Sequence, residues 1–375
     1  MNKIVPITKD NLKLFAEGAK KFGMERSLAW YERILFDPTV GDLTQDACRG
    51  HMSVSESGDV VAVQAYYYQP CYFKQQRILG NTGCIMGADH AFGEELLCVL
   101  DANKESKACG WLSFGNCISS ARSAKISVKA NRMKEPPYRA RTFRVGAADV
   151  VAYFLGPARK VFGGGADAAQ KMLWFFTRPV QLVWQLPRKR MMRASGCRFS
   201  RRASFEGAAF ESFWQRFLAA NDGVISSREP KRLSWLFNDA LKSGRDILVT
   251  AERHGQIDGY VLLREENYSG WLKSYEIMDV CAVGNDIACL KGLVAAAGCF
   301  ASQARGMSLH FFGYMLKQEQ WLDPVLKIQR KTEWSSFFYK SRNPEIAESL
   351  AQNKGWFFGP FDGERCMGHC GYNDD

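Results

Sequence analysis

From Arg26 to Phe36 the apolar residues recur at helical spacing, and the pattern stops at Asp37-Pro38. A residue that precedes proline is pushed out of helical backbone, so the helix must end there. A similar aromatic helix spans Lys231 to Asn238, with Pro230 at its start, where a missing N–H costs nothing. Each helix is followed by strand-type residues around a glycine-containing turn. The first such hairpin runs from Val54 through Gly58 to Ala62, the second from Val249 through Gly255 to Leu263. A third strand, a helix and a short strand follow in both places, the short strands being Gly110–Phe114 and Gly306–Phe312. Gly58 to Gly110 is 52 positions and Gly255 to Gly306 is 51. Matching spacing together with matching element order indicates an internal duplication.

The length, 375 residues, suits two domains, or three, at about 100–200 residues each. The expected partition is an N-terminal domain over 1–155, a linker over 156–205 and a C-terminal domain over 206–375. With 46% hydrophobic and 24% charged residues, the chain can bury full cores, which excludes a disordered or fibrous protein. Its twelve cysteines are scattered, so reduced thiols are expected rather than a disulfide scaffold. The early residues turn polar too soon for a signal-peptide core, and no 18-residue apolar run occurs. A cytoplasmic protein is therefore expected, with peripheral membrane contact left open.

The net charge of +11 is concentrated in one place. Between Gly156 and Ala203 stand eleven basic residues and a single acid, Asp167; the rest of the chain is nearly balanced. That pattern points to one localised anionic contact rather than a nucleic-acid-coating surface. Within the linker, Lys171–Leu186 is strongly apolar and contains Trp174 and Trp184, and Pro187-Arg188-Lys189-Arg190 follows. Lys171, Arg178, Gln181 and Gln185 share one helical face and leave a wide apolar face opposite. Two readings stand: a helix packed between domains, its basic flank solvated, or a helix over 168–193 lying in an anionic membrane interface. Pro179 is expected to kink it.

In each half the order is helix pair, hairpin, long strand, long helix, short strand, helix and terminal strand. That order, over roughly 10–150 and 206–365, resembles the GNAT N-acetyltransferase superfamily in tandem. It is also similar to double-GNAT proteins linked to polysaccharide and cell-surface biosynthesis, and to FemAB-type aminoacyltransferases. The resemblance implies an α/β fold with a mixed sheet in each of two domains, joined by the basic, apolar helical linker. It further implies an acyltransferase that uses acetyl-coenzyme A, or another acyl-coenzyme A, as co-substrate. The acceptor would be a small-molecule amine on a sugar or amino-acid-derived cell-surface precursor. Two alternatives remain: a non-catalytic GNAT-like protein that binds a membrane or partner through the linker, and FemAB-like aminoacyl transfer.

The family's Gln/Arg-x-x-Gly-x-Gly/Ala fingerprint is absent from both halves. That loop holds the coenzyme pyrophosphate on backbone N–H groups at a helix N-terminus. In the first half the matching segment, Gly87 to Glu95, carries Asp89, Glu94 and Glu95, which suit the helix dipole but repel a phosphate. The second half has one acid, Asp286, and one lysine, Lys291, with Gly284 to relax the turn. The resemblance therefore assigns coenzyme binding to Val280, Cys281, Val283, Gly284, Asn285 and Ile287. Ser274–Cys281 reads as the fourth strand, on which strict alternation places Tyr275, Ile277 and Asp279 on one face. Asp279 is the candidate base, with loop capping as its structural alternative. Tyr314, just after the fifth strand, is the candidate acid, with core packing as its alternative. The first half has no matching carboxylate between Arg77 and Ile85.

Other chemistries are weaker. Cys366, His369 and Cys370 lack a second cluster at zinc-site spacing, so no metal is expected. Gly163-Gly164-Gly165 lacks the Lys-Ser/Thr of a P-loop and reads as a hinge, and Asp362-Gly363-Glu364 reads as a turn or as the acidic ending of some tandem GNAT chains. No nucleic-acid-binding module is recognisable.

Overall fold

Ser27 opens its helix by accepting a hydrogen bond from the Trp30 N–H at 3.2 Å, the N-cap arrangement that small hydroxyl residues supply. The helix then runs Leu28–Leu35 and stops before Asp37-Pro38, as the sequence dictates. The structure, a computed structural model, describes residues 2–44, 49–89, 93–105, 112–118, 141–144, 166–266, 273–313 and 335–352. Among these, the first part of the chain forms β1 (Lys3–Pro6), α1 (Leu12–Lys21), α2 (Leu28–Leu35), β2 (Gly50–Val54), β3 (Val60–Phe73), β4 (Gln76–Ala88), α3 (Gly93–Glu105), β5 (Leu112–Ile118) and β6 (Arg141–Arg144). Then come α4 (Ala166–Ala194), β7 (Arg198–Arg202), α5 (Ala208–Ala219), β8 (Ile225–Ser226) and α6 (Pro230–Lys242). The last part holds β9 (Asp246–Arg253), β10 (Gln256–Glu266), β11 (Lys273–Ala282), α7 (Ile287–Gln303), β12 (Gly306–Gly313), β13 (Ser335–Ser341) and α8 (Pro344–Ala351).

These strands build two mixed sheets of matching design. One has the order β1-β2-β3-β4-β5-β13, with β8 added on β3; the other has the order β6-β12-β11-β10-β9-β7. In both, a hairpin and a long strand run antiparallel, and only the fourth and fifth strands, β4 with β5 and β11 with β12, are parallel. The second hairpin turns through His254 and Gly255, both at positive φ, the backbone that a two-residue hairpin turn requires.

The last strand of each sheet comes from the other part of the chain. β6 pairs antiparallel with β12, Phe143 facing Phe311. β13 pairs antiparallel with β5, Tyr339 facing Phe114. The two halves therefore exchange their terminal strands. The segment Ile225–Arg232 adds a third crossing: Ser226 pairs with Cys71 of β3, and the Ser227 N–H donates to the Pro70 carbonyl at 2.8 Å.

Each sheet is covered by helices whose apolar faces fill its cores. Phe15, Ala19, Tyr31 and Ile34 of α1 and α2 meet Val63 and Ala65 of β3. Phe213, Phe217, Leu233 and Phe237 of α5 and α6 meet Tyr260, Leu262 and Met278 on one face of the second sheet. Leu290, Leu293 and Val294 of α7 meet Val249, Val261 and Ile277 on the other. Within the expected linker α4 runs as one helix through Pro179, where the sequence predicts a kink, and through Pro187. Among the described residues no helix is long and apolar enough to cross a membrane, and no three metal-ligating side chains gather. Gly163–Gly165, Asp362–Glu364 and the Cys366–Cys370 cluster lie outside the described residues.

Candidate active site at the parting of the fourth and fifth strands

The fourth strand carries the same irregularity in both sheets. Leu262 faces Asp279 while Leu263 faces Ile277, leaving Met278 as an extra residue on β11. Ala65 faces Ile85 while Tyr66 faces Gly83, leaving Cys84 extra on β4. Such a bulge breaks the period-two alternation and bends the strand. The strict alternation expected for Asp279 accordingly fails. Tyr275, Ile277, Val280 and Ala282 share the α7-facing cluster, whereas Asp279 turns to the opposite face and meets Tyr260. Ile85 occupies the register position of Asp279 in the first sheet, so that half has no equivalent carboxylate.

Just before each bulge the parallel strands part. β11 pairs with β12 up to Ile277 and Phe311; beyond that point β12 goes on with β6. β11 runs on to Ala282 with its β12-side backbone edge unmatched by a strand among the described residues. A chain-like ligand could pair with that edge, as an added strand would. β11 then enters a tight turn. Gly284 has φ +64° and Asn285 φ +55°, and the exposed Ile287 opens α7.

The N-terminus of α7 already holds an anion, its own Asp286. The Asp286 carboxylate accepts from the Ala288 N–H at 2.9 Å and the Cys289 N–H at 3.1 Å. Arg253 donates to it at 3.0 Å and lies 3.4 Å from Asp258, which Arg216 also contacts at 2.9 Å. Burial raises the Asp286 pKa, but the Cys289 N–H, Arg253 and the Ala288 N–H outweigh it and hold the group below the usual carboxylate value. Sequence reading missed Arg253; its only local signal is its place beside the His254-Gly255 turn.

Asp279 lies near the end of β11, as expected, and is 1% exposed. Arg228, fully buried, donates to both its oxygens, Nε at 2.9 Å and Nη2 at 3.0 Å. The Tyr260 hydroxyl donates at 2.5 Å. Burial and the neighbouring Asp279 charge push the Tyr260 phenol well above its ordinary value. The remaining Arg228 nitrogen donates to the Ser226 carbonyl at 3.0 Å, and Ser226 belongs to the first sheet through β8. A few residues on, Arg232 donates to the Tyr67 hydroxyl at 2.5 Å and to Gln69 Oε1 at 3.0 Å, both on β3. Asp279 is thus the end of a bidentate ion pair, the strong form of charge-assisted hydrogen bond, that ties one sheet to the other. It also caps the Arg228 loop, the structural alternative weighed for it.

The other sequence candidates divide. Val280 and Cys281 have buried side chains, so only their backbone faces the gap; burial also drives the Cys281 thiol upward. Val283 is half-buried, and Gly284, Asn285 and Ile287 are exposed around the start of α7. Tyr314 lies outside the described residues, one position beyond the last described residue of β12. In the first half Glu95 accepts from the Asn2 amide at 2.8 Å and the Ser53 hydroxyl at 2.7 Å, and residues 90–92 lie outside the described set.

No family model matches the sequence, and neither does any curated protein. The fold does have solved counterparts. A GCN5-related N-acetyltransferase from Kribbella flavida superposes with a TM-score of 0.55 at 13% identity, covering 93% of this chain and 73% of that one. A conserved protein from Enterococcus faecalis, described as a probable N-acyltransferase, gives 0.55 at 12% identity over 93% and 74%. Saccharomyces cerevisiae N-myristoyltransferase with bound myristoyl-CoA gives 0.54 at 11% identity over 95% and 85%. The chain therefore has the GNAT-type α/β fold over most of its length.

Proposed function

We propose that this protein transfers an acyl group from acyl-coenzyme A to an amine, using its C-terminal half. The observation that carries the reading is the parting of β11 from β12 beside a fourth-strand bulge, leading into the Gly284 turn and α7. The fold shared with acyltransferases supports it.

Acyl-coenzyme A would supply the activated thioester. This chain would supply three things. The N–H groups on the β12-side edge of β11 past Ile277, which no strand among the described residues pairs, are suited to a developing oxyanion, which backbone donors stabilise without reorganisation. Tyr314 is our candidate for returning a proton to the leaving thiolate. Asp279 acts through position: clamped by Arg228 and Tyr260, it fixes the bulge, and the proton that the amine nitrogen loses passes to water. A phosphate at α7 would have to displace Asp286 from the Ala288 and Cys289 N–H groups, and Arg253 would remain as its counter-charge. The acceptor class, an amine on a sugar or amino-acid-derived cell-surface precursor, rests only on the likeness in element order to tandem acyltransferases.

One observation favours a second reading, a GNAT-like protein that binds without catalysis: α7 is already capped by a carboxylate. Calorimetric titration with acetyl-coenzyme A and with a long-chain acyl-coenzyme A separates the two. The catalytic reading expects one micromolar site. It also expects binding about fivefold tighter in Asp286→Ala, the ~1 kcal/mol of a like-charge pair near 4 Å in water. Tyr314→Phe should then lower turnover by roughly 10². No binding in either protein overturns the acyltransferase reading.

A further inference from the structure

We propose that α4 is a membrane-interface helix that docks this protein on an anionic lipid surface. The helix spans 29 residues, about 43 Å. Among the described elements it packs chiefly on α7. Gln185, 6% exposed, donates to the Ser302 hydroxyl at 3.1 Å; Arg188 is buried; and Met192 joins the α7 core. One face is thus anchored to the body of the protein.

The opposite face is apolar and open. Met172, Phe175, Phe176, Leu182, Val183 and Leu186 are 51–69% exposed. At about 100° per residue these six, with the exposed Pro179, fall within an arc of about 120°, opposite Gln185, Arg188 and Met192. The stripe lies on the outer side of an anchored helix. Lipid can bury the large side chains of such a ridge by flowing around it.

Charge completes the match. Lys171, Arg178 and Lys189 are exposed along one edge of the arc, and Arg190 and Arg193 are exposed at its C-terminal end. The only acid in α4 is Asp167, at its start. Basic residues beside an apolar face favour anionic headgroups, each by a few-fold in affinity. Pro179 frees the Phe175 carbonyl of a helical partner on this outward face, where water and headgroups can satisfy it. Membrane docking does not require acyl transfer and stands or falls separately from it.

The test is flotation of the full chain with vesicles of phosphatidylcholine alone and of phosphatidylcholine with about 30 mol% phosphatidylglycerol. Binding to the anionic vesicles should exceed that to neutral ones by tenfold or more and weaken with salt. Phe175→Ser with Phe176→Ser should lower partitioning by about 10². Lys189→Glu, Arg190→Glu and Arg193→Glu together should lower anionic binding by tenfold or more. Circular dichroism monitors folding, and Phe176→Ser alone, at a position 69% exposed, serves if a multiple variant misfolds. Wild-type failure to bind overturns the proposal, as does equal binding to both vesicles. Binding unchanged in every variant also overturns it. A dimer in sedimentation equilibrium that Phe175→Ser with Phe176→Ser dissolves would make the stripe a contact between copies, and overturns lipid docking as well.

Discussion

Replacing Asp279 by Asn removes the charge from a pair in which Asp279 is 1% exposed and Arg228 fully buried. Both charge-assisted bonds lose their anion, and the Tyr260 hydroxyl is left facing a weaker acceptor. Breaking one side of a buried ion pair strands the other charge in low dielectric and costs about 3–5 kcal/mol. Arg228→Met alone should cost a similar amount. The double change Arg228→Met with Asp279→Leu should recover most of it, because two buried charges leave together. About 1–3 kcal/mol should persist, since the Tyr260 hydroxyl then loses its acceptor. Urea denaturation of wild type, Asp279→Leu, Arg228→Met and the double variant measures this cycle, with Asp279→Asn alongside: with a slope near 2–3 kcal/mol/M, each single variant should lose about 1–2 M in midpoint. The expected coupling is 2 kcal/mol or more. The same variants tested for acyl transfer decide the role of Asp279. An anchor predicts that Asp279→Asn and Arg228→Met lower turnover per folded molecule alike, whereas a base predicts a loss of roughly 10² or more confined to Asp279→Asn. A single variant that costs under about 1 kcal/mol, or costs that simply add, would refute the anchoring argument.

Gly259 of β10 faces Ala282 of β11, and a Cβ there would lie 2.6 Å from the Cys281 carbonyl. Gly259→Ala should therefore cost about 1–3 kcal/mol in urea and weaken acyl-coenzyme A binding by shifting the end of β11. Asp286 is held below the 3.8 of an ordinary aspartate, so its contribution to stability is present above about pH 4 and fades as pH falls through its folded value. Wild type should exceed Asp286→Ala in urea midpoint near pH 6, and the two should converge as pH falls below the ordinary aspartate range; a constant difference would exclude the linkage. Because β13 and β8 come from the second part of the chain, fragment 1–165 should lack a cooperative thermal transition alone and gain one when mixed with 166–375. A cooperative transition from 1–165 by itself would show that strand exchange is dispensable.

Much of the architecture was legible because local chemistry decided it. Ser27 and Pro38 bound one helix, Pro230 opens another, and the Gly58 and Gly255 turns set two hairpins. What was hidden depended on partners distant in sequence. Ser335–Ser341 shows strand character, but nothing in those seven residues says that β5, not β12, will receive it. Met278 and Ile277 are both apolar, so alternation gave no sign that one would be squeezed out as a bulge and carry Asp279 to the other face. Arg228 and Arg232 sit among charged residues with nothing local to mark them as interior, yet both are fully buried, because carboxylate, hydroxyl and amide partners arrive from β11 and β3. Around α7 the acid Asp286 was visible as a departure from the expected phosphate loop. Its use as a cap, with Arg253 behind it, required the fold.

The two sheets differ at the positions where chemistry would occur and are alike where geometry is set. Both fourth strands keep one extra residue at the same register, and both part from the fifth strand close to it. Only the second half places a carboxylate after the bulge, and that carboxylate is spent on Arg228. The arginine in turn fastens to Ser226, which the first sheet holds through β3. The first half thus need not bind a substrate to matter for the gap between β11 and β12. It receives β8, lends β6 to the far side of β12, and takes β13 in return. The β6 crossing restrains β12, which borders the gap, and the β8 crossing restrains the loop that grips Asp279. A bulge is a local weakness in a sheet, and here two crossings and a buried ion pair bear on its surroundings, which is what a site needing fixed backbone donors requires.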